Sequence, residues 1–538
     1  MPNRKIKKQE IDLCFERFLI DAEDDFFPDP LRYKDLRHVQ ARIVGEIQNS
    51  LTGIMTQNKI KYTVKPYYPW DVPKENYVIR QGWSLHPYDT IVFHFILNRL
   101  VSIIEPKLSK ARYSYRIKNT TSKKLFGYNP TQNWIDFKND IRNYFSDNPN
   151  YKYLVSTDVA GFFENIPIQN IKNQLLQICN KNESQSIELL NAMLKGYSAS
   201  GYSGMPQNFD PSSYLCTAFL DFLDKELEAK SLKHFRYVDD IKVACTTEIE
   251  AKKAIVHIIQ PLRTAHLNLS TAKTDIIPSN SDKFKDMFKD FPAFLHDIDN
   301  AVRNKQKRTI NNLYPNLVTY TKELMKELMK QKGNFDERLF RACIWRIVKI
   351  NYFKNISKLN LESIGKACLR LLDSMPSKTN MFLRFLVLHK DKTYVQNALY
   401  ELLHNTVYPW QEMLIWYLLI QCDKIKNINI LPLAKHRARD DGYPEAARNY
   451  IYIFLGKHGD YQDRRYISNL FPLTQSFRAQ RSILIAIQEY HERNTIYNSV
   501  TSSNNDPILI GLVKYIRQLS APEYVDIDKN IASDIAFS

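Results

Sequence analysis

The sequence predicts an α+β domain followed by an all-α domain. Runs of alternating apolar residues that meet acidic residues lie between positions 151 and 278, whereas helical periodicity dominates from position 308 onward. The chain has 538 residues, which exceeds the usual length of one domain. We therefore divide it into an N-terminal segment (1–150), an α+β segment with acidic residues (151–278), a connector (279–307) and a helical domain (308–538).

An acidic residue ends the first predicted strand of the α+β segment. The apolar run from Tyr153 leads to Asp158, and a turn of small residues that includes Gly161 follows. A helix is then expected from Ile168, because Pro167 stands at a position where proline favours a helix start.

A second acidic site lies in a predicted β-hairpin with Tyr237-Val238-Asp239-Asp240 at its turn. Apolar residues alternate on both sides, which is the pattern of two strands. Favoured hairpin turns use Asn-Gly or Asp-Gly, so the repulsive acidic pair is either a solvated turn or a cation site. The strand-end acid Asp158 favours the cation, because polymerase chemistry uses two divalent metals about 4 Å apart, bridged by carboxylates.

These motifs resemble the palm of a reverse transcriptase. The segment 204–212, Gly-Met-Pro-Gln-Asn-Phe-Asp-Pro-Ser, is similar to the family's Gly-x-Pro-Gln-Gly-x-x-x-Ser, with Asn208 in place of the second glycine. The segment 267–274 resembles the motif whose lysine approaches the leaving pyrophosphate. Arg80 followed by 89–92 is similar to the fingers motif, although Thr90 replaces the family's second arginine. Motifs in this order are specific to the family.

The resemblance implies a role for each matching residue. Asp158 and Asp239 would be the principal ligands of two Mg²⁺ ions, for which Mn²⁺ could substitute, with the backbone carbonyl of Val159 and the carboxylate of Asp240 in support. Lys273 would be a proton donor in catalysis. The nucleotide-binding residues would be Arg80, Phe163, Gln207 and Tyr237.

Two of these assignments have a plainer alternative. A ring at Phe163 would exclude a ribose 2′-hydroxyl and so favour deoxynucleotides, but phenylalanine is more often simply a core residue. Arg80 would hold the triphosphate, since a guanidinium matches phosphate oxygens in pairs, or it is a solvated arginine.

The net charge of +17 agrees with a nucleic-acid partner. Basic residues interleave with Tyr113, Tyr115 and Phe126, an arrangement that suits phosphate neutralisation and base stacking. The alternative is a solvated charged face. The predicted nucleic-acid-binding residues are Lys107, Lys110, Arg112, Arg116, Lys123 and Lys124, with Lys118 among them.

Cysteine usage and hydropathy predict a soluble cytoplasmic protein without membrane contact. The seven cysteines are scattered and form no Cys-x-x-Cys pair, which fits a reducing compartment. The longest apolar run, 413–420, is too short to span a bilayer.

The C-terminal half has the pattern of an α-solenoid. Leu339, Cys343, Ile347 and Ile350 share one helical face. Helices expected at 444–457, 464–470 and 476–490 are separated by short turns, as in HEAT-like repeats. An irregular helical bundle is the alternative.

A palm followed by a HEAT-like domain resembles the bacterial abortive-infection polymerases of the AbiK type, which are defence-associated reverse transcriptases. The resemblance implies a homo-oligomeric phage-defence DNA polymerase that uses dNTPs and acts in the bacterial cytoplasm. In some members the DNA product is covalently attached to a protein hydroxyl without a template, and in others a partner non-coding RNA is copied. No motif identifies the priming hydroxyl, and Tyr33 is the first candidate to test. The alternative is that Tyr33 only packs on the fingers.

Two other classes remain open. One is a reverse transcriptase templated by a dedicated non-coding RNA. The other is a catalytically idle nucleic-acid scaffold, which has no use for three neighbouring carboxylates. The side chain at Asn208 argues against ordinary templated copying, because glycine there would let the backbone approach the nucleotide.

Overall fold

The computed structural model describes residues 5–24, 27–57, 59–125, 130–179, 183–198, 203–329, 336–351, 353, 356, 358–502 and 506–526. The N-terminal segment contains α1 (Lys8–Asp21), α2 (Gln40–Met55), β1 (Tyr68–Pro73), β2 (Ile79–Ser84), α3 (Pro87–Ile104) and α4 (Pro130–Asp147). Strands β1 and β2 form an antiparallel hairpin.

The α+β segment follows. Its elements are β3 (Tyr153–Asp158), α5 (Phe162–Asn165), α6 (Ile168–Ile178), α7 (Ser184–Ser198), α8 (Asp210–Phe219), α9 (Asp221–Ala229), β4 (His234–Tyr237), β5 (Asp240–Cys245), α10 (Glu248–Thr264) and β6 (Asp275–Pro278). The strands form one antiparallel sheet in the order β4–β5–β3–β6. Strands β3 and β5 pack on α10, and their inward residues Val155, Ile241 and Val243 are fully buried.

The remaining elements are helical. They are α11 (Asp282–Met287), α12 (Ala293–Arg303), α13 (Lys307–Met329), α14 (Glu337–Asn351), α15 (Glu362–Ser374), α16 (Thr379–Leu386), α17 (Thr393–Asn405), α18 (Pro409–Gln421), α19 (Ile430–Ala438), α20 (Glu445–His458), α21 (Tyr461–Leu470), α22 (Phe477–Ala486), α23 (Arg493–Ser502) and α24 (Pro507–Gln518).

The connector predicted at 279–307 is more ordered than its polar composition indicates. It contains both α11 and α12. Helix α12 buries Leu295, Ile298 and Val302, which follow the spacing of an amphipathic helix. The polar residues His296, Asp297 and Asn300 occupy its exposed face, and this is why the composition resembled a loop.

Alternate helices pack on each other in the C-terminal half. Helices α14, α16, α18, α20, α22 and α24 form a row in which each contacts the next, and α13, α15 and α17 form a second row. The face predicted in α14 is buried at all four positions, Leu339, Cys343, Ile347 and Ile350. The prediction of a helical second half is confirmed.

The helical half is tied to the N-terminal segment through a buried ion cluster. The guanidinium of Arg481, on α22, contacts both carboxylate oxygens of Asp29 and both of Asp35, at 2.8 to 3.0 Å. All three side chains are buried. All seven cysteines are buried and unbonded. None of the helices in the described ranges is long and apolar enough to cross a bilayer.

Candidate functional site

Three carboxylates meet at one end of the central sheet. Asp158 is the last residue of β3 and pairs in register with Asp240, the first residue of β5. Asp239 lies in the two-residue turn between β4 and β5. A pocket of about 670 Å³ lies over this sheet end. The structure thus brings together Asp158, Asp239, Asp240, Lys273, Phe163 and Tyr237, all of which line that pocket.

The turn that carries Asp239 has a strained backbone. Val238 has a φ of 56°, a left-handed conformation that is unusual for a β-branched residue. Its N–H donates to Ser114 Oγ at 2.8 Å, and its carbonyl accepts a hydrogen bond from Arg236 Nη1 at 2.9 Å. The carbonyl of Asp239 accepts from the N–H of Val159 at 3.3 Å. Surrounding hydrogen bonds therefore impose the conformation, as is typical of strained functional turns.

Arg236 is itself held from beneath the sheet. It is fully buried, and its Nε donates to Asp224 Oδ1 at 2.8 Å while Nη2 contacts the other carboxylate oxygen and the carbonyl of Thr217. The bidentate contact with Asp224 fixes the plane of the guanidinium. The third nitrogen, Nη1, is then held in position to donate to the Val238 carbonyl.

Burial and charge raise the pKa of the central carboxyl. Desolvation and, next, the charge of Asp158 raise the pKa of Asp239 to about 7. Burial also raises the pKa of Asp240, and this effect is opposed by the nearby Lys242. Asp158 and Asp239 are thus mutually repulsive carboxylates in a poorly solvated place, where a cation would be stabilising.

Two lysines contact the outer carboxylates. Lys273 Nζ lies 2.8 Å from Asp158 Oδ2, and this hydrogen bond raises the pKa of the lysine, so it is charged at neutral pH. Lys242 Nζ lies 2.5 Å from Asp240 Oδ1 and 2.7 Å from Ser156 Oγ. Lys242 was missed by the sequence analysis. Strand alternation could have found it, because it lies two residues after Asp240 and so faces the same way.

The donor set fits magnesium. Carboxylate and backbone carbonyl oxygens are the ligands that Mg²⁺ prefers. Asp158 provides a carboxylate from the end of β3, and Asp239 provides one from the β4–β5 turn. Asp158, Asp239 and Asp240 line one pocket, but within the described ranges no three His, Cys, Asp or Glu side chains are arranged as a formed ion-binding group.

Arg80 and Gln207 do not line the carboxylate pocket. They gather around Glu164, which the sequence analysis missed although it directly follows Phe163. Glu164 Oε1 accepts hydrogen bonds from the N–H of Gln81 at 3.0 Å and from Gln207 Nε2 at 3.2 Å. Burial lowers the pKa of Arg80, and the charge of Glu164 opposes that shift. Glu164 thus links the β1–β2 hairpin to the 204–212 segment beside the half-buried Phe163.

Asn208, which stands where the family motif has glycine, adopts a backbone conformation that is typical of glycine. Asn208 has a φ of 70°, in the left-handed region that asparagine tolerates better than most residues. The preceding Gly204 has a φ of 80°, and a Cβ there would lie 2.0 Å from the carbonyl oxygen of Phe163. This loop therefore packs directly against the backbone of the pocket residue.

The prediction that Arg112 belongs to a nucleic-acid-binding surface is wrong. This residue is 2% exposed, lies over the ring of Tyr214 and contacts Glu105 Oε2 at 2.7 Å. It is therefore a core residue behind the sheet. Arg116 is half-buried and contacts Glu105 Oε1 at 2.7 Å. The charges of both arginines are balanced by Glu105 within the protein.

The other members of that cluster differ in their contacts. Lys107 donates to the carbonyl of Ile178 at 2.5 Å, and Lys123 contacts Glu16 at 3.1 Å. The remaining lysines, Lys110, Lys118 and Lys124, are exposed. Phe126 lies outside the described residues.

Tyr33 is also misplaced for its predicted role. It is 4% exposed, with its ring 5.3 Å from that of Phe18 and under the guanidinium of Arg481 at 5.1 Å. It is not among the residues that line the carboxylate pocket. A hydroxyl enclosed in this way cannot reach a nucleotide without unfolding the segment, so the candidate is rejected.

Comparison with known protein families agrees with the geometry. A sequence profile of the family described as "Reverse transcriptase (RNA-dependent DNA polymerase)" matches residues 74–309. A solved structure of apo telomerase from Candida tropicalis is similar at 12% identity and a TM-score of 0.34, covering 89% of this chain and 74% of that one. No curated protein matches. Residues 74–309, which contain the whole carboxylate pocket, are therefore similar to the reverse transcriptase family of polymerases.

Proposed function

We propose that this chain is a DNA polymerase of the reverse transcriptase type that adds deoxynucleotides by two-metal catalysis and acts in phage defence by abortive infection. The observation that carries the polymerase is the meeting of Asp158, Asp239 and Asp240 at one sheet end, beneath a pocket that also contains Phe163 and Lys273. The family match over residues 74–309 supports the same chemistry.

The residues of the pocket would divide the work as follows. Asp158, Asp239 and the Val159 carbonyl would hold two Mg²⁺ ions, with Asp240 in support and Mn²⁺ able to substitute. The chemistry supplied by the bound ions is activation of a 3′-hydroxyl and stabilisation of the leaving pyrophosphate. Lys273 is charged and exposed at the pocket rim, so it can donate a proton to that leaving group.

Sugar selection would fall to Phe163. Its half-buried ring lines the pocket on the side where Glu164 holds Gln207 and the β1–β2 hairpin. A rigid ring beside the nucleotide would clash with a ribose 2′-hydroxyl. Arg80 lies on that hairpin and does not line the pocket, and it would approach the triphosphate from the hairpin side.

The defence role rests on the AbiK-type resemblance. Two rows of alternately packed helices after the palm are the arrangement expected of a HEAT-like domain, and they support the second half of that resemblance. Protein-primed synthesis without a template, covalent attachment of the DNA product and homo-oligomerisation belong to the same proposal. The priming hydroxyl is some residue other than Tyr33.

RNA-templated copying is the second candidate. The backbone of Asn208 follows the left-handed path that glycine would take. The main chain can therefore approach a paired nucleotide as it would with glycine, although the side chain occupies additional space. A dedicated non-coding RNA would then be the template.

The test is incorporation of labelled deoxynucleotide with Mg²⁺, analysed on a denaturing gel before and after protease. Asp239→Asn combined with Asp240→Asn should abolish incorporation. Asp275→Asn is the matched control, because Asp275 lines the same pocket but pairs with Lys283 at 2.6 Å. Incorporation by the double variant at the wild-type rate would contradict the proposal.

The same gel separates the candidates. Label that stays with the protein until proteolysis indicates a covalent product and supports protein priming. Label that migrates free, together with a discrete RNA in the purified protein, supports the templated enzyme. If the wild type incorporates no nucleotide with either Mg²⁺ or Mn²⁺, the catalytically idle scaffold is the remaining hypothesis.

A further inference from the structure

A second cleft opens beside the carboxylate pocket. It has a volume of about 430 Å³ and lies between α4 on one side and α12 and α14 on the other. Trp134 lines both cavities. Met287 lines the carboxylate pocket, and the next residue, Phe288, lines the second cleft. The two spaces therefore adjoin at Trp134, whose ring packs edge-on against Tyr237 at 4.9 Å.

The lining of this cleft is strongly basic. Five cations and two carboxylates face it: Lys138, Arg142, Arg303, Arg338 and Arg346 against Asp290 and Asp299. Arg346 is balanced by Asp299, with contacts of 2.8 and 2.6 Å, and Arg142 contacts Asp290 at 2.7 Å. In the described part of the chain, no carboxylate forms an ion pair with Lys138, Arg303 or Arg338.

One of these cations, Lys138, has surroundings that disfavour its charge. Lys138 is half-buried, and burial together with the charges of Arg338 and Arg142 lowers its pKa to about 8, so it is still charged at neutral pH. Like charges that converge on one cleft from three helices are stabilised by a polyanion. Basic residues that only maintain solubility are expected to be spread over the surface instead.

Aromatic and apolar groups lie between the cations. The guanidinium of Arg338 lies 4.5 Å from the ring centre of Phe291, and that of Arg346 lies 5.5 Å from it. Trp134 and Ile135 also face the cleft. Cations that follow a phosphate backbone, with rings on which bases stack, are the features by which proteins hold single-stranded nucleic acid.

We propose that this space, the α4–α14 cleft, holds one strand of nucleic acid that runs between the carboxylate pocket and the helical half. Its phosphates contact Lys138, Arg303 and Arg338, and a base stacks on Trp134. The cleft volume of about 430 Å³ lies within the range of small-molecule cavities, roughly 300–1,000 Å³. The identity of the strand as product or template rests on the proposed polymerase function.

Binding of fluorescent oligodeoxythymidine and oligouridine, measured by anisotropy across a salt series, tests the proposal. Lys138→Glu and Arg338→Glu should each weaken binding of both probes by about tenfold. They should also flatten the salt dependence, by roughly 0.7 in slope for each phosphate that is no longer neutralised. Lys253→Glu is the control, because it makes the same charge change on the exposed face of α10. Thermal unfolding verifies that each variant is folded.

Two results would overturn the proposal. One is cleft variants that bind both probes like the wild type. The other is a loss no greater than that of Lys253→Glu, which would indicate a general charge effect. Single-nucleotide incorporation is measured on the same proteins. A wild type that binds through the cleft but incorporates nothing would refute the polymerase and leave the cleft intact.

Discussion

At the scale of single residues, the protonation of Asp239 makes the folding stability depend on pH. A carboxyl whose pKa is about 7 when folded and about 4 when unfolded binds protons preferentially in the folded state. Folding stability therefore falls as pH rises from about 4 to 7, and the full penalty is present above pH 7.

Asp239→Asn should remove this penalty. We expect the metal-free variant to be more stable than the wild type at about pH 7.5, by at least about 1 kcal/mol, since one pKa unit corresponds to about 1.4 kcal/mol. The difference should shrink toward pH 4, and Mg²⁺ should stabilise only the wild type. Thermal unfolding at several pH values measures both. A variant less stable than the wild type at neutral pH would disprove the electrostatic explanation.

Phe163→Ala should change sugar selection more than overall rate. Removing the ring opens space beside the nucleotide's C2′, so we expect ribonucleotide use to rise by about tenfold or more relative to deoxynucleotide use. Phe162→Leu is a suitable control, because Phe162 is buried behind the pocket. The measurement is the ratio of kcat/KM values for dCTP and CTP. Wild-type preference for ribonucleotides would show that Phe163 is no gate.

The sequence was sufficient to predict that residues from separate local motifs lie together. Asp158, Asp239, Asp240, Phe163 and Lys273 meet in one pocket as the motifs predict. Arg112 was misjudged because its burial and its contact with Glu105 become visible only in three dimensions. The α4–α14 cleft escaped notice for the same reason, since its cations come from segments about 200 residues apart.

At the scale of elements, the β4–β5 hairpin depends on Arg236. Arg236→Met should destabilise the protein by about 3–5 kcal/mol, because Asp224 would remain buried without its partner. It should also reduce nucleotide incorporation, because the Val238 carbonyl loses its donor and the strained turn can relax.

A second replacement separates these effects. Arg236→Met combined with Asp224→Leu removes both buried charges and should recover most of the stability. Incorporation should stay low, because the turn still lacks its hydrogen bond. Chemical denaturation and single-turnover incorporation are the two measurements. Recovery of both properties together would mean that Arg236 acts only through stability.

Element boundaries were predictable where helical signals were clear. The helices expected at 444–457 and 476–490 correspond to α20 and to α22 with the short turn that follows it. Helices α11 and α12 were missed because two prolines and many charges obscured a short amphipathic pattern. The order of packing among the helices could not be obtained from periodicity, which identifies a buried face but not its neighbour.

At the scale of the whole molecule, the Asp29–Arg481–Asp35 cluster joins the first and last parts of the chain. Arg481→Met would leave two buried carboxylates without a counter-charge, and we expect a loss of about 3–5 kcal/mol. Arg439→Met is the control, because Arg439 is exposed and lies 3.7 Å from Asp463, an interaction worth about 1 kcal/mol at most. Denaturant unfolding measures the free energy of unfolding of both variants. An equal decrease in the two would show that the cluster contributes no more than an exposed ion pair.

The burial of every cysteine makes the protein convenient for spectroscopy. The thiolate is the form that reacts with maleimides, and burial raises the pKa of Cys14 and of Cys422 to about 12. The native chain should therefore remain unlabelled under mild conditions. A single cysteine introduced at Ile135, on the rim of the α4–α14 cleft, would carry the only dye, and its emission would report the passage of a strand during synthesis.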